Sequence, residues 1–263
     1  MDLSQGRKHA FITGGASGLG LGIAEALASR GLSVTLADID AETLAEVVKT
    51  RGNQFRGVVL DTRDREGWTR AKQEAETAFG PVDVLVNNAG ISPNGREFAD
   101  MDPESFDRIL QINLVGIVNG VFAFAADMRA RGSGHIVNTS SQAGLSTTVP
   151  GVGAYSVAKF GVTALSEGLR TEMEPHGVGV SCLFPGYVQT NLGENTIKVG
   201  GEVRNYAGKM PESDVTPADV GEMVVAGIEA NASHIVTHKG AWRQSEKRFA
   251  QIKAACDLRE SAP

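Results

Sequence analysis

The chain has 263 residues, of which 41 % are hydrophobic, 6 % aromatic and 21 % charged, so it is long enough to bury a core and is neither disordered nor fibrous in composition. Its 25 Lys and Arg face 31 Asp and Glu without any basic block, which argues against nucleic acid as a partner. Two cysteines, Cys182 and Cys256, are too few for a disulfide framework, and residues 1–9 are too polar for a signal peptide. We therefore expect a cytoplasmic protein.

Short apolar segments rich in β-branched residues alternate with segments of helical periodicity along the whole chain. Strands are predicted over 9–13, 33–38, 55–61, 82–87, 134–139, 178–184 and 234–237. Helices are predicted over 19–30, 41–51, 66–79, 103–131, 152–174, 217–231 and 242–255. This alternation predicts one α/β domain over 1–263, a Rossmann-type doubly wound sheet of about seven parallel strands in the order 3-2-1-4-5-6-7 with helices on both faces.

The stretch 109–126 contains 18 residues without a charge, which is the lower limit for a membrane span. It also contains Gln111, Asn113 and Asn119. We therefore predict a helix buried inside the protein or at a subunit interface, and no membrane contact.

A glycine-rich loop follows the first predicted strand, with glycines at 14, 18 and 20 immediately before a predicted helix. Such glycines let the backbone turn tightly and approach a pyrophosphate at the helix N-terminus. The alternative is that they only allow close packing of the strand against the helix.

The second predicted strand ends at Asp38, the position at which a dinucleotide-binding unit carries the carboxylate that binds the ribose 2′-hydroxyl. A carboxylate repels a 2′-phosphate, Ser17 precedes Gly18, and Ile39 rather than a base follows Asp38, so the sequence favours NAD over NADP. The alternative is that Asp38 or Asp40 only caps the next helix.

Tyr155 and Lys159 lie four residues apart in a predicted helix, so they share one face. A phenol has a pKa of about 10, and a cation within ~4–6 Å lowers that pKa by ~1–3 units, which suits proton exchange with an alcohol or a carbonyl. The hydroxyls of Ser140 and Ser141 follow the fifth predicted strand. The alternatives are a surface cation beside an aromatic ring, and serines that only bond the loop backbone.

Taken together, these motifs resemble the single-domain branch of the short-chain dehydrogenases/reductases over residues 8–190. The matching positions are Thr13-Gly14-x-x-x-Gly18-x-Gly20, Asp38, Asp61, Asn87-Asn88-Ala89-Gly90, Asn113, Ser141, Tyr155-x-x-x-Lys159 and Pro185-Gly186-x-x-x-Thr190.

The resemblance implies a role for each matching residue. Tyr155 would be the general acid/base, Lys159 would hold the nicotinamide ribose and lower the pKa of the phenol, and Ser141 would orient the substrate oxygen. Asn113 would kink its helix and hold a water in a proton relay to Lys159. Ser141 stands one residue further from Tyr155 than in many members, which leaves Ser140 as the alternative hydroxyl.

The resemblance also implies a full set of NAD contacts. Asp61 and Thr62 would meet the adenine, Asn88 to Gly90 would line the cleft, and the loop from Pro185 would hold the carboxamide, while Asn87 would brace the strands. The full set is Gly14, Ser17, Gly18, Leu19, Gly20, Asp38, Ile39, Asp61, Thr62, Asn88, Ala89, Gly90, Tyr155, Lys159, Pro185, Gly186, Val188 and Thr190.

The substrate side is predicted to be apolar, because residues 141–158 contain no Arg or Lys. The candidate substrate residues are Ser141, Ala143, Leu145, Val149, Val152, Tyr155, Tyr187, Leu192 and Tyr206. The amphipathic, glycine-rich stretch 191–214 suits a lid, and a plain pair of surface helices is the alternative.

We therefore expect an NAD(H)-dependent enzyme that interconverts a neutral, apolar secondary alcohol, aryl-alkyl or steroid-like, and its ketone. A 3-oxoacyl-thioester reductase, a sugar epimerase or dehydratase, and a non-catalytic NAD-binding sensor are the alternatives. His176, His234 and His238 lack metal-ligand spacing, so no metal site is expected. The resemblance implies a homodimer or homotetramer formed through the helices near 103–130 and 152–174.

Overall fold

A computed structural model describes residues 1–3, 8–147, 149–203 and 213–260. Within those residues, seven parallel strands form a sheet in the order β3-β2-β1-β4-β5-β6-β7, which confirms the predicted fold. The strands are β1 (His9–Thr13), β2 (Ser33–Asp38), β3 (Phe55–Val59), β4 (Val84–Asn87), β5 (Gly134–Thr139), β6 (Val178–Phe184) and β7 (His234–Val236). The helices are α1 (Gly18–Ser29), α2 (Ala41–Arg51), α3 (Arg65–Phe79), α4 (Pro103–Leu110), α5 (Gly116–Arg131), α6 (Gly153–Met173), α7 (Leu192–Lys198), α8 (Pro217–Glu229) and α9 (Ala241–Glu260).

Both faces of the sheet are covered, because successive residues of each strand point to opposite sides. Ile12 of β1 packs into a core with Ile23 of α1 and Val224 of α8, whereas its neighbour Phe11 packs with Trp68 of α3 and Phe124 of α5. The burial of every residue of β1 explains why the strand is apolar throughout instead of alternating.

Side chains fix the first residues of several helices, and with them the loops at the carboxyl edge of the sheet. Asp40 accepts a hydrogen bond from the backbone N–H of Thr43 at the start of α2, and Asp102 accepts one from Ser105 at the start of α4. Pro103 and Pro217 lie in the first turns of α4 and α8, as their positions in the sequence predict.

The helix predicted over 103–131 is confirmed, but it is not α-helical throughout. A π-helical turn, Gln111–Val115, separates α4 from α5. Within this turn, the Asn113 side chain accepts a hydrogen bond from Ile91 N at 2.7 Å and donates one to Ile91 O at 3.0 Å. A π turn accommodates one extra residue, and such turns are frequent at functional sites.

Several predicted ends are also wrong. The strand predicted over 55–61 ends at Val59, because Asp38 and Val59 are the last pair of the β2–β3 ladder and a turn closes from Asp61 O to Asp64 N. The fourth strand starts two residues later than predicted, the seventh ends at Val236, and α9 continues to Glu260.

Among the described residues, one helical stretch, Pro103–Arg131, is long and apolar enough to cross a membrane by length and composition alone. Half of its most apolar part is buried inside the fold. Core helices of soluble proteins have the same properties.

Candidate active site

The carboxyl ends of β1, β4 and β5 are joined by hydrogen bonds. Thr13 Oγ1 accepts from the backbone N–H groups of Asn88 (2.9 Å) and Ala89 (3.0 Å), and the Asn88 amide donates to Thr13 O at 3.1 Å. Thr139 Oγ1 in turn donates to Asn88 Oδ1 at 3.4 Å. The chain crosses from one side of β1 to the other here, so this edge is the crevice in which a doubly wound sheet binds its ligand.

Two features describe the glycine loop: its tight packing, and the first-turn N–H groups of α1 at its end. Gly14 has φ +64° and Gly18 has φ +52°, and a Cβ at Gly20 would clash with Gly14 O, so tight packing requires the glycines. The N-cap residue of α1, Ser17, makes no side-chain bond to the first turn. The first-turn N–H groups of α1 therefore lack a side-chain acceptor from Ser17, and this arrangement fits a phosphate.

Asp38 lies beside the glycine loop. Its carboxylate accepts hydrogen bonds from the backbone N–H groups of Ala16 and Asp40, both at 3.1 Å. The cap of α2 is Asp40, not Asp38. Helix capping therefore does not account for Asp38, whose position at the end of β2 matches the one predicted for the ribose contact.

Lys198 is a cation near this position that the sequence analysis missed. Its Nζ lies 2.7 Å from Asp40 Oδ2. The hydrogen bond from Lys198, with the bonds from Thr43, lowers the pKa of Asp40 to about 2. Because 158 residues separate Lys198 from Asp40, no local pattern in the sequence indicates this contact.

Tyr155 and Lys159 lie in the first turns of α6. Only 3 % of Lys159 is exposed, so the alternative of a surface cation is wrong. Its Nζ donates to Thr139 O at 2.8 Å and lies 5.5 Å from the centroid of the Tyr155 ring. Burial lowers the pKa of the Lys159 ammonium to about 8. A buried lysine beside a tyrosine at the ligand crevice is an arrangement typical of proton-transfer sites.

The two serines after β5 have different environments. Ser140 is buried, its Oγ donates to Lys159 O at 2.8 Å, and it lies 3.1 Å from Thr163 Oγ1. Ser141 is half-buried, and its Oγ accepts from Ala143 N at 3.1 Å. Since that bond uses only an acceptor site of the Ser141 hydroxyl, its O–H group can still donate to a substrate oxygen, which favours Ser141 over Ser140.

Asn113 is fully buried, and its side-chain amide braces the loop that follows β4. A Cβ at Gly90 would lie 2.8 Å from Asn113 Oδ1, so the amide and the loop are closely packed. Asn113 lies within the π turn, and the kink that the resemblance implies there stays a prediction. The water relay to Lys159 stays a prediction.

The remaining predicted cofactor residues lie along the same crevice. The Asp61 carboxylate pairs with Arg63 at 2.6 Å, which lowers the pKa of Asp61, and Thr62 is buried beside it. Val188 is buried, and a Cβ at Gly18 would lie 3.2 Å from Thr190 Cβ, so the loop after β6 meets the glycine loop. Asn87 braces β4 to β5 by donating to Asn138 Oδ1 at 2.9 Å.

The predicted substrate residues differ in exposure. Val149 and Leu192 are exposed, and Tyr206 lies outside the described residues. The half-buried members of the set are Ala143, Leu145, Val152, Tyr155 and Tyr187.

Two aromatic residues that the sequence analysis missed lie near the start of α6. The Phe98 and Phe106 rings are 6.3 Å apart, and a Cβ at Gly153 would lie 2.5 Å from Phe98 Cε2. Phe98 is 60 % exposed and lies in a loop without periodic pattern, so nothing in the sequence marked it.

The described part of the predicted lid, residues 191–203, rests on two loops of the crevice. Asn195 donates to Ser17 Oγ at 3.0 Å, and Ser92 N donates to Thr196 Oγ1 at 2.9 Å. Arg96 and Glu202 form an ion pair at 2.7 Å. Helix α7 therefore bridges the glycine loop and the loop after β4.

Comparisons with known proteins agree with this geometry. The family model described as short chain dehydrogenase matches residues 8–198. The C alpha-dehydrogenase of Sphingobium sp. strain SYK-6 is 34 % identical over 97 % of this chain and 88 % of its own length. A short-chain dehydrogenase/reductase from Burkholderia phymatum, solved in complex with NAD, has 30 % identity and a TM-score of 0.87, with 97 % of each chain covered. LigO from the Sphingobium strain, in its apo form, has 30 % identity and a TM-score of 0.85, with 100 % of this chain and 93 % of its own covered.

The chain belongs to the short-chain dehydrogenase/reductase family, oxidoreductases that use nicotinamide cofactors. The crevice fits such a cofactor: the glycine loop ends at a helix start without a Ser17 side-chain cap, and Asp38 stands at the end of β2.

Proposed function

We propose that this protein is an NAD(H)-dependent dehydrogenase that interconverts a neutral, apolar secondary alcohol and its ketone. The observation that carries the proposal is the buried Lys159, bound to Thr139 O and lying behind the Tyr155 ring at the ligand crevice. Lys159 alone would serve dinucleotide binding, but a phenol beside the buried ammonium is suited to proton transfer, which binding does not require.

Each of these side chains has a distinct task in the proposed reaction. The Tyr155 oxygen takes the proton of the substrate hydroxyl during oxidation and returns it during reduction. Lys159 stabilises the phenolate by its charge, and the Ser141 hydroxyl donates a hydrogen bond to the substrate oxygen. When bound, the nicotinamide supplies or accepts the hydride.

Asp38 supports NAD as the preferred cofactor. Backbone N–H groups of Ala16 and Asp40 hold its carboxylate at the end of β2, where a 2′-phosphate would meet a fixed negative charge. Lys198 lies nearby, but its ammonium is paired with Asp40. NAD in the complex of the Burkholderia phymatum relative is in keeping with this preference.

The surroundings of Tyr155 support a neutral, apolar substrate. Residues 141–158 carry no basic side chain, and Phe98 adds an aromatic surface at the start of α6. The nearby Arg96 is paired with Glu202, and the Arg108 guanidinium donates to Gly200 O. A substrate carboxylate or phosphate would have to displace these partners. The name of the relative C alpha-dehydrogenase indicates oxidation at a carbon atom, which fits this reaction class.

A substrate panel tests the proposal. The formation of reduced nicotinamide is followed with NAD and with NADP on neutral secondary alcohols from small aliphatic through aryl-alkyl to steroid, each beside a carboxylated analogue. We expect turnover of a neutral class with NAD. A 3-oxoacyl thioester is added with NADH and with NADPH, and its reduction is followed by loss of the reduced nicotinamide. Turnover of this thioester alone would support the reductase alternative, and cofactor binding without any turnover would support a sensor.

We also propose a cytoplasmic homodimer or homotetramer formed through α5 and α6. Phe122 of α5 is 68 % exposed and Val157 of α6 is 45 % exposed, and apolar side chains of this size are typical of subunit interfaces. Light scattering after size-exclusion chromatography should give two or four subunits, and Phe122→Glu should lower that number. A monomeric wild-type protein would overturn the proposal.

A further inference from the structure

His238 follows β7 at the same edge of the sheet as the candidate active site. The last residue pair of the β6–β7 ladder is Phe184 with Val236. The residues after β6 and β7, Pro185 to Tyr187 and Thr237 to His238, therefore lie side by side. The family motifs do not include His238, and the sequence analysis considered it only as a metal ligand.

The imidazole of His238 bonds two consecutive residues of the loop after β6. Its Nδ1 lies 3.2 Å from Gly186 N, and its Nε2 lies 2.9 Å from Tyr187 O. A backbone N–H only donates and a carbonyl only accepts, so Nδ1 is the acceptor and Nε2 carries the hydrogen. The contacts therefore assign the neutral Nε2–H tautomer.

Two hydroxyls complete the surroundings of the ring. Thr237 Oγ1 lies 2.7 Å from Nδ1, and Ser213 Oγ lies 3.3 Å from Nε2. Thr237 Oγ1 also accepts from Gly186 N at 3.3 Å. Each ring nitrogen thus has a backbone partner and a hydroxyl neighbour, an arrangement that fixes the orientation of the imidazole.

The loop held by His238 is joined to the turn that carries Ser141. Gln142 N donates to Pro185 O at 3.0 Å. A Cβ at Gly186 would lie 2.8 Å from His238 Nδ1 and 2.9 Å from Gln142 Nε2, so Gly186 is packed between the two side chains. A shift of the imidazole therefore moves the loop after β6 and disturbs the residue next to Ser141.

We propose that His238 is a positioning residue for hydride transfer. Its ring holds the Gly186–Tyr187 backbone so that the loop after β6 keeps the nicotinamide and the substrate oxygen in reacting alignment. The proposal rests on the proposed function. Misplacement of a reacting group by about 1 Å costs ~100-fold in rate, so a residue outside the first contact layer can control turnover.

Three substitutions separate the contributions of the two ring nitrogens. His238→Ala removes both hydrogen bonds to the loop. His238→Asn retains an amide oxygen that can accept from Gly186 N, and His238→Gln retains an amide N–H that can donate to Tyr187 O. The matched control is His234→Ala, because His234 is an exposed histidine at the start of β7, four residues before His238.

We expect His238→Ala to lower kcat by about tenfold or more and to raise the dissociation constant of NADH, since the loop loses two hydrogen bonds. His238→Asn and His238→Gln should each recover part of the loss. His234→Ala should match the wild type in kcat and in the dissociation constant of NADH, while loss of the stacking of His234 on Phe184 can lower its melting temperature. Thermal melting of all variants reports how much of any loss is unfolding.

Unchanged kcat and NADH affinity in folded His238→Ala would overturn the proposal. A lowered melting temperature with unchanged kcat per folded molecule would also overturn it, because the role of His238 would then be structural. NADH fluorescence keeps the two proposals distinguishable. If the wild-type protein turns over no alcohol, the proposed function fails.

In that case, weaker binding of NADH by His238→Ala, with His234→Ala unchanged, would still support the proposal that His238 positions the loop after β6. Equal NADH affinities of His238→Ala and the wild type would overturn it.

Discussion

Two regions surround the candidate active site, and they are held by different forces. The edge formed by β1, β4 and β5 consists of buried and half-buried residues joined by hydrogen bonds, such as those from Asn88 to Thr13 and from Lys159 to Thr139. The segment 191–203 is held by one contact to a buried side chain, from Ser92 to Thr196, and by the exposed ion pairs Arg96–Glu202 and Lys198–Asp40. We call the edge formed by β1, β4 and β5 the frame, and the segment 191–203 the cover.

The difference suggests that one set of residues carries the reaction and another set controls how the cofactor enters and binds. An exposed ion pair contributes only ~0–1 kcal/mol, so we expect segment 191–203 to be displaced more easily than the sheet edge. An unsatisfied buried polar group costs ~1–3 kcal/mol, so we expect the sheet edge to keep its arrangement during turnover. Substitutions in the frame should therefore act on the reaction itself, and substitutions in the cover should act on cofactor binding.

The largest effect is expected in the frame, from Lys159→Met. The variant loses the cation beside Tyr155, so kcat should fall by at least ~100-fold. The melting temperature should change little, because relief from burying an ammonium offsets the loss of its hydrogen bond to Thr139 O. Steady-state kinetics and thermal melting test this, with the exposed Lys253→Met as control. A large loss of stability would show that Lys159 is chiefly structural.

The opposite, amino ends of β1 and β5 contain two buried histidines, His9 and His135, which should make the fold sensitive to acid. Burial lowers the pKa of His9, and it lowers that of His135 to about 3. Below the unfolded value of about 6.5 the unfolded chain binds more protons than the folded chain, so stability falls as the pH drops from there towards 3. Each histidine lowers the free energy of unfolding by up to ~1.4 kcal/mol for each unit by which the pH falls.

Denaturant unfolding between neutral pH and pH ~4 measures this slope. His135→Asn should flatten the slope, because its amide does not titrate in this range. A free energy of unfolding that stays constant over the interval would contradict the assignment of two neutral buried rings.

A specific change of cofactor preference is expected from Asp38→Asn. Removal of the fixed carboxylate should lower the ratio of kcat/KM with NAD to kcat/KM with NADP by ~10-fold, equivalent to ~1.4 kcal/mol. Asp61→Asn is the control at the same edge, and it should leave the ratio unchanged. An unchanged ratio in Asp38→Asn would mean that Asp38 only shapes the glycine loop.

The smallest effect is expected in the cover, from Lys198→Ala. Loss of one exposed ion pair should raise the KM for NAD a few-fold, about 0.5–1 kcal/mol, and leave kcat unchanged. The difference from the wild type should shrink as salt is added, since salt screens the wild-type pair. A fall in kcat like that of Lys159→Met would show that the cover takes part in the chemistry.

The sequence predicted the frame better than the cover. The strands, the glycine loop and the Tyr155–Lys159 pair are encoded by residues close together in the chain, so their patterns are readable. The contacts of Lys198 with Asp40 and of His238 with Gly186 join residues far apart in the chain, and no periodicity marks them. The π turn at Gln111–Val115 contains the bond between Asn113 and the backbone of Ile91, and only the resemblance, which implies a kinked helix at Asn113, indicated a distortion there.

The most direct test of the central claim compares Tyr155→Phe with the wild type in NADH binding and in the turnover of a neutral aryl-alkyl secondary alcohol with NAD. We predict that the variant binds NADH as tightly as the wild type does and loses ~100- to 10,000-fold in kcat, because only the proton-transferring oxygen is removed. A variant that retains turnover within a few-fold of the wild type would contradict the assignment of Tyr155 as the general acid/base.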